Sequence, residues 1–447
     1  MVDKTTRRTF LGYAGAAGMT LPLVMPKLTR AESANEKINF AFVATGGRAG
    51  AHVGAMSQMG HNSPCFAEVL ESNQSNAAEA WPSAQRYSDY RRMFDKHHNE
   101  FDAVFVATPD HTHFHAAASA LELGKHVYCE KPLTWSVWEA RRLTELAQKN
   151  KVQTQMGNQG HADEGWRVLI ELVRAGAIGN LKEAHTWTNR PVWPQGMHRP
   201  KQIDPVPAGL DWNTWIGPAP LRHYTKDTYP FAWRGWRDFG AGALGDMACH
   251  TMDGLFWAFD PGHPISVEPL MTEGLTGDAF PTGSTVKWEF AAKGDRPAFT
   301  SYWYDGKKAD GSANLPPRPD ELDEDLRMPQ SGNLFIGDKG TILVSGDYGG
   351  GPRLIPEAKR REFGRPPQLL ERSPGHHQEF VNAIKGGPKP GSNFDYAGPM
   401  TETILLGNVA LLSGRKLEWD GPNMKVTNFD QANQFIRRQP RQGWEEI

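Results

Sequence analysis

Ile38-Asn39-Phe40-Ala41-Phe42-Val43-Ala44-Thr45-Gly46-Gly47-Arg48-Ala49-Gly50 sets the architecture of this chain. The first seven residues form an apolar run of buried-strand length, and an Ala- and Met-rich helical pattern follows the glycines. Strand, glycine turn and helix in that order are the context of a dinucleotide fingerprint, because backbone amides at a helix start bind pyrophosphate. Gly46, Gly47 and Arg48 are therefore the expected phosphate contacts. In the register Ala44-x-Gly46-x-x-Ala49 the third position tolerates alanine, but Ala44 replaces the glycine of the tight turn. That departure leaves an ordinary strand-to-helix turn as the competing reading.

About 20 residues further on, Cys65-Phe66-Ala67-Glu68-Val69-Leu70-Glu71 should end a second strand. An acidic side chain there accepts from both ribose hydroxyls and repels a 2′-phosphate, so Glu68, with Glu71 as fallback, favours NAD over NADP. A further strand from Phe101 to Ala107 leads into Thr108-Pro109-Asp110-His111-Thr112-His113 and a helical pattern from Phe114 to Leu123. Val127-Tyr128-Cys129-Glu130-Lys131-Pro132-Leu133 then reads as a strand entering a tight turn. Helix and strand alternate again over Ser136 to Asn150 and Val152 to Met156, which predicts a parallel sheet with crossover helices. Ligands of such sheets bind beyond the carboxyl ends of the strands, which puts Lys131 at the cofactor's edge. A lysine there can donate or accept a proton, whereas most lysines are simply exposed.

With 447 residues the chain exceeds one typical core, and two domains are expected. Its 49 basic and 51 acidic side chains are nearly balanced, which argues against a nucleic-acid partner. Three scattered cysteines supply neither a disulfide framework nor a zinc site. Thr6-Arg7-Arg8-Thr9-Phe10-Leu11 and the Gly/Ala-rich stretch after it resemble a twin-arginine export signal, too short and too weakly apolar for a stable membrane span. The expected division is a signal over 1–31, a dinucleotide-binding domain over 36–157 and a second domain over 158–447, with the protein periplasmic, or cytoplasmic if the signal reading fails.

Six of the fifteen tryptophans fall between Trp187 and Trp236, mostly in a Pro- and Gly-rich segment from Pro191 to Gly245. A connection that long is usually a binding loop. Aromatic faces interleaved with Arg and Asn suit a polyhydroxylated ring, so Asn158, Asn189, Arg190, Trp193, Trp233 and Arg234 are candidate substrate contacts. The alternative is a satellite core packed under the loop. Asp246 and His250 stand four residues apart and share one helix face. No cysteine or carboxylate stands at ligand spacing with His111 and His113, so no metal is expected. The remainder reads as strands such as Ser284 to Ala291, Ala298 to Trp303 and Gly340 to Val344, two helices (His376 to Lys385, Pro399 to Ser413), and a tail that lies on this chain or a neighbour.

Together the Thr108 to His113 run, the Glu130-Lys131-Pro132 turn and Gly245-Asp246-Met247-Ala248-Cys249-His250 resemble the Gfo/Idh/MocA (glucose-fructose oxidoreductase, inositol dehydrogenase, rhizopine catabolism) family, in matching order over nearly the whole chain after the export segment. The resemblance implies an α/β protein: an N-terminal Rossmann domain and a C-terminal α/β domain with a largely antiparallel sheet that often mediates homo-oligomer contacts, in a dimer or tetramer. It implies Lys131, Asp246 and His250 at the reacting carbon, and cofactor contacts that add Thr108, Pro109, His113, Glu130 and Lys131 to the glycine loop and Glu68. The expected reaction is hydride transfer between a secondary alcohol of a sugar, cyclitol or glycoside and a tightly held NAD, with His250 as base and Lys131 polarising the oxygen, or with those two roles exchanged. Asp246 would orient His250 or bind a neighbouring hydroxyl. A redox-neutral glycosidase or lyase working through a 3-keto intermediate, and a sugar-binding relative without chemistry, are the alternatives.

Overall fold

The computed structural model describes residues 37–226 and 228–445, so the twin-arginine segment lies outside the described residues. Six strands, β1 (Asn39–Val43), β2 (Asn62–Ala67), β3 (Gln85–Tyr87), β4 (Ala103–Val106), β5 (His126–Cys129) and β6 (Thr154–Met156), form one parallel sheet in the order β3-β2-β1-β4-β5-β6. β4 is buried at every residue and β1 at four of its five, as a sheet covered on both faces requires. β3 was not expected: Gln-Arg-Tyr is polar because it forms the sheet's edge.

Register decides what this sheet presents. Ala67, Val43, Val106, Cys129 and Met156 pair in one row across it. The residues that follow them, Ala44, Glu68, Ala107, Glu130 and Gly157, therefore all emerge along one edge. Ala44 leaves β1 with φ +79°, in the left-handed region where a Cβ is strained. Ala44→Gly should relieve that strain and stabilise the protein by about 1 kcal/mol. An unfolding midpoint equal to or below that of wild type would show that the turn tolerates alanine.

The second sheet has nine strands: β7 (Leu181–Trp187), β8 (Ser266–Glu273), β9 (Gly283–Phe290), β10 (Phe299–Gly306), β11 (Gly332–Gly337), β12 (Thr341–Ser345), β13 (Gly350–Ile355), β14 (Leu417–Asp420) and β15 (Lys425–Val426). Their order is β13-β12-β11-β7-β10-β9-β8-β14-β15, and only the β7/β10 pair is parallel. β9, β10 and β12 are the strands expected from sequence; β8, β11 and β13 to β15 were not expected, and they contain Pro or Gly or are very short.

The helix Phe394–Ser413 joins the two sheets' layers. Fifteen of its twenty residues are buried, because it packs on the crossover helix Val137–Asn150, on the helix Gly242–Thr251 and on β8. Arg141 fastens it to the crossover helix through two 2.7 Å bonds to the Glu402 carboxylate. Its start lies five residues before the expected Pro399, which the helix carries in its second turn.

The aromatic loop mostly makes a core of its own. Trp212 and Trp215 stack at 4.7 Å and pack with Tyr229, Trp236 and Phe239, so these rings are not substrate platforms. The C-terminal tail lies on its own chain, where Trp444 is buried under Arg91 and Arg438 donates to the His111 carbonyl. Among the described residues no helix is long and apolar enough to cross a membrane.

Burial also makes the fold acid-sensitive. It pushes His115, His250 and His376 from 6.5 down to about 3, and His377 to about 4. Unfolded histidines bind protons below about 6.5 while these stay neutral, so stability is full above that pH and falls as pH drops, by roughly 1.4 kcal/mol per unit for each histidine. Urea unfolding between pH 7 and 5 should show this; an unfolding free energy that does not fall would contradict it.

Candidate active site

The edge formed by the strand ends is where the site is built. After β5, the Glu130 carboxylate turns back into the protein: Gln159 Nε2 lies 2.7 Å, His52 Nε2 3.0 Å and Arg48 Nε 3.3 Å from Oε1. Burial alone would raise its pKa, but His52 and Arg48 outweigh burial and hold Glu130 below the usual carboxylate range. Gly157 makes room for it, since a Cβ there would come within 2.6 Å of the carboxyl carbon. Glu130, expected as a cofactor contact, thus braces the turn that carries Lys131. The braces His52 and Gln159 carry no motif and went unseen in the sequence.

Lys131 Nζ donates to Asp246 Oδ1 at 2.6 Å and to the Asp246 carbonyl at 3.2 Å. Burial pulls the ammonium's pKa down, but the Asp246 carboxylate more than offsets it, and Lys131 stays charged above the ordinary lysine value. Asp246 is itself held below the usual carboxylate value by Lys131 and Arg234, against burial. Arg234 Nη1 sits 2.7 Å from Asp246 Oδ1, and 3.5 Å from Asp110 Oδ1. Its guanidinium lies over Trp233 at 4.2 Å and Trp193 at 5.5 Å. So Trp193 and Trp233 serve first as walls for Arg234.

Asp110 is a site residue that sequence reading passed over. It opens the helix Asp110–Glu122, which begins four residues before the expected Phe114 because Pro109 fixes the backbone at the N-cap. Its Oδ2 accepts from the Ala241 amide at 3.0 Å, next to the helix that carries Asp246. Asp110, Arg234, Asp246 and Lys131 therefore form one alternating chain of charge across both halves of the fold.

His250 occupies the same face of the helix Gly242–Thr251 as Asp246. Burial, then the charge of Lys131, lowers its pKa to about 3, so the ring is neutral. Its Nδ1 is buried without a hydrogen-bond partner, so Nε2 is the ring nitrogen within a ligand's reach. Asp246 is committed to Lys131 and Arg234, so it does not orient His250 as the sequence reading allowed. The rings of His250 and Tyr348, another residue not anticipated, meet in a T-shaped pair with centroids 4.9 Å apart.

Other expected residues fall outside this cluster. His113 is wedged between the carbonyls of Thr108 and Pro132, each 2.8 Å from a ring nitrogen, and supports the turn from behind. Asn158 is fully buried, donating to the Cys249 carbonyl at 3.4 Å and accepting from Ser392, so its side chain is turned into the protein. Asn189 and Arg190 bond each other, and Asn189 also donates to Gln330, beyond the end of β7.

A dinucleotide fits the other end of the edge. No side chain caps the helix Arg48–Gln58; its Ala49 and Gly50 amides bond the Gly46 and Gly47 carbonyls, and among the described residues the Gly47 and Arg48 amides are left for an anion. Gly46 packs against Asn73 where a Cβ would collide, and Gly47 has φ +51°. Glu68 follows β2 directly, and its carboxylate accepts from the Thr45 amide at 3.0 Å and the Gly46 amide at 3.2 Å, which fixes the acid beside the loop. Thr108 Oγ1 is buried without a partner at the end of β4.

Residues 38–158 match the Gfo/Idh/MocA oxidoreductase family's NAD-binding Rossmann fold, and residues 179–293 match its C-terminal α/β domain. Inositol 2-dehydrogenase 3 of Saccharopolyspora erythraea is 37% identical over 100 residues, 22% of this chain and 30% of that one. Levoglucosan dehydrogenase of Pseudarthrobacter phenanthrenivorans is 26% identical over 192 residues, 41% of this chain and 40% of that one. The chain spans about half or less of the length of the curated relatives it matches. The crystal structure of the WlbA dehydrogenase from Bordetella pertussis, in complex with NADH and UDP-GlcNAcA, shares the fold with a TM-score of 0.60 at 18% identity, over 86% of this chain and 99% of that one.

Proposed function

Because the chain belongs to the Gfo/Idh/MocA oxidoreductase family, we propose that it oxidises a secondary alcohol of a sugar, cyclitol or glycoside with NAD. The observation that carries this reading is a charged lysine and a neutral histidine brought to one place by Asp246 and its helix, at the carboxyl edge of a dinucleotide-binding sheet. Gly46, Gly47, Arg48 and Glu68 would hold the cofactor, and Lys131 would stand at its reacting end. A nicotinamide supplies hydride acceptance from the carbinol carbon.

The chain's own residues handle the proton. The Lys131 ammonium donates a hydrogen bond to the substrate oxygen and stabilises negative charge as the O–H bond weakens. His250 Nε2 accepts that proton and becomes imidazolium, while Asp246 keeps Lys131 charged and aimed. Arg234 anchors Asp246 against burial. The tryptophan-walled guanidinium also offers donors to a neighbouring hydroxyl, in keeping with the polyol and anhydrosugar named for two relatives. The pair Arg7-Arg8 supports export of the folded protein to the periplasm with NAD already bound.

Native mass spectrometry of the purified protein, followed by NADH absorbance with a panel of pyranosides, cyclitols and alditols, tests the reading. Bound dinucleotide and its reduction by a panel member are expected. A protein that neither retains nor binds added NAD would overturn it, and glycoside cleavage without NADH would replace net oxidation by a redox-neutral cycle.

A further inference from the structure

Tyr348 belongs to no motif, yet the turn that carries it is closely seated. It lies in the four-residue turn between β12 and β13, whose flanking residues Ser345 and Gly350 pair. That turn is seated from three sides. Gly349 lies so close to the Trp166 ring that a Cβ would come within 2.6 Å, and the Gly349 carbonyl occupies the space a side chain at Gly165 would need. Thr188 Oγ1 donates to Asp347 at 3.2 Å, and the Gly346 amide to the Ser331 carbonyl at 2.8 Å. The backbone holds the turn, so the tyrosine ring is not needed to seat it.

The ring is nevertheless fixed. Its Cδ1 would be 3.0 Å from a Cβ at Gly160, and its face or edge meets the His250 ring at 4.9 Å and 71°. The phenol is within electrostatic reach of Lys131 and Asp246. Among the described residues its hydroxyl has no hydrogen-bond partner, and 49% of the residue is exposed. A rigid aromatic surface left open beside the reacting groups binds the C–H face of a saturated ring, and a free hydroxyl at its tip takes one directed hydrogen bond.

We infer that Tyr348 is a substrate-recognition residue: the locked, half-exposed ring beside His250 and Lys131 receives the C–H face of a six-membered sugar or cyclitol ring, so the substrates are cyclic and not open-chain polyols. The inference rests on the oxidoreductase reading for its chemistry but concerns binding alone. An open chain has no flat C–H face to lay on the ring and loses more conformational freedom on being held straight.

The test compares wild type, Tyr348→Phe and Tyr348→Ala, all as purified full chains checked for equal bound NAD and equal circular dichroism. Binding of methyl β-glucopyranoside, myo-inositol and sorbitol is measured by calorimetry, without turnover. Wild type should bind at least one cyclic probe more tightly than sorbitol. Tyr348→Ala should weaken that binding about tenfold or more and leave sorbitol unchanged, while Tyr348→Phe keeps the stack and loses about threefold or less. Equal binding of the cyclic probe by Tyr348→Ala and wild type, or a preference for sorbitol, overturns the inference. Cyclic binding that depends on Tyr348 in a protein that never forms NADH would sustain it while removing the oxidoreductase reading.

Discussion

Lys131→Ala should fold, retain NAD and lose at least about a hundredfold in kcat, the usual contribution of a positioned acid–base group. Folding survives because the Asp246 carboxylate keeps its second cation, with Arg234 Nη1 at 2.7 Å, and is not left as a lone buried charge. Cofactor binding survives because the proposed pyrophosphate and ribose contacts, the Gly46 loop and Glu68, follow the neighbouring strands β1 and β2. What disappears is the charged donor to the substrate oxygen. Lys131→Arg should not restore the rate, because a planar fork cannot occupy the point position that Nζ takes 2.6 Å from Asp246. Steady-state rates and bound-dinucleotide content decide the matter: an alanine variant with near wild-type kcat removes Lys131 from the mechanism.

Arg234→Met should be the most destabilising change at the site, by about 3 kcal/mol or more, the scale on which removing one partner of a buried ion pair acts. Two carboxylates depend on this guanidinium. Burial pushes the Asp110 pKa upward and Arg234 opposes that, while Asp246 keeps only Lys131 once Arg234 is gone. The methionine approximates the arginine's volume between Trp193 and Trp233, so lost packing does not account for the effect. Adding Asp110→Asn should recover part of the loss, since a neutral amide needs no guanidinium. Chemical unfolding of both single variants and the double variant measures the coupling. Strict additivity would show that Asp110 and Arg234 are independent and that the charge chain across the two halves is not one unit.

Much of this protein is written in local sequence. The apolar run Asn39–Val43, the glycines after it and the capping box of Ser136 and Glu139 specify strand, turn and helix through contacts only a few residues apart. Period and spacing also put Asp246 and His250 on one helix face, and the turn Glu130-Lys131-Pro132 announces itself by its proline. Tertiary structure alone decided which groups those residues meet. Asp246 faces Lys131 and Arg234, not His250, because the turn after β5, 115 residues away in the chain, converges on the helix Gly242–Thr251 and the aromatic loop that leads into it. Trp212, Trp215 and Trp236 look like Trp193 and Trp233 in composition, yet the first three close a satellite core and the last two wall an arginine. Tyr348, in a glycine-rich turn with no signal, reaches His250 only because Gly165 and Gly349 let two backbones touch. Hydrogen-bonding capacity and periodicity are properties of a segment, and the sequence states them; charge pairing, exposure and the perturbed proton affinities of Lys131 and His250 are properties of what surrounds a segment, and they exist only once the chain has folded.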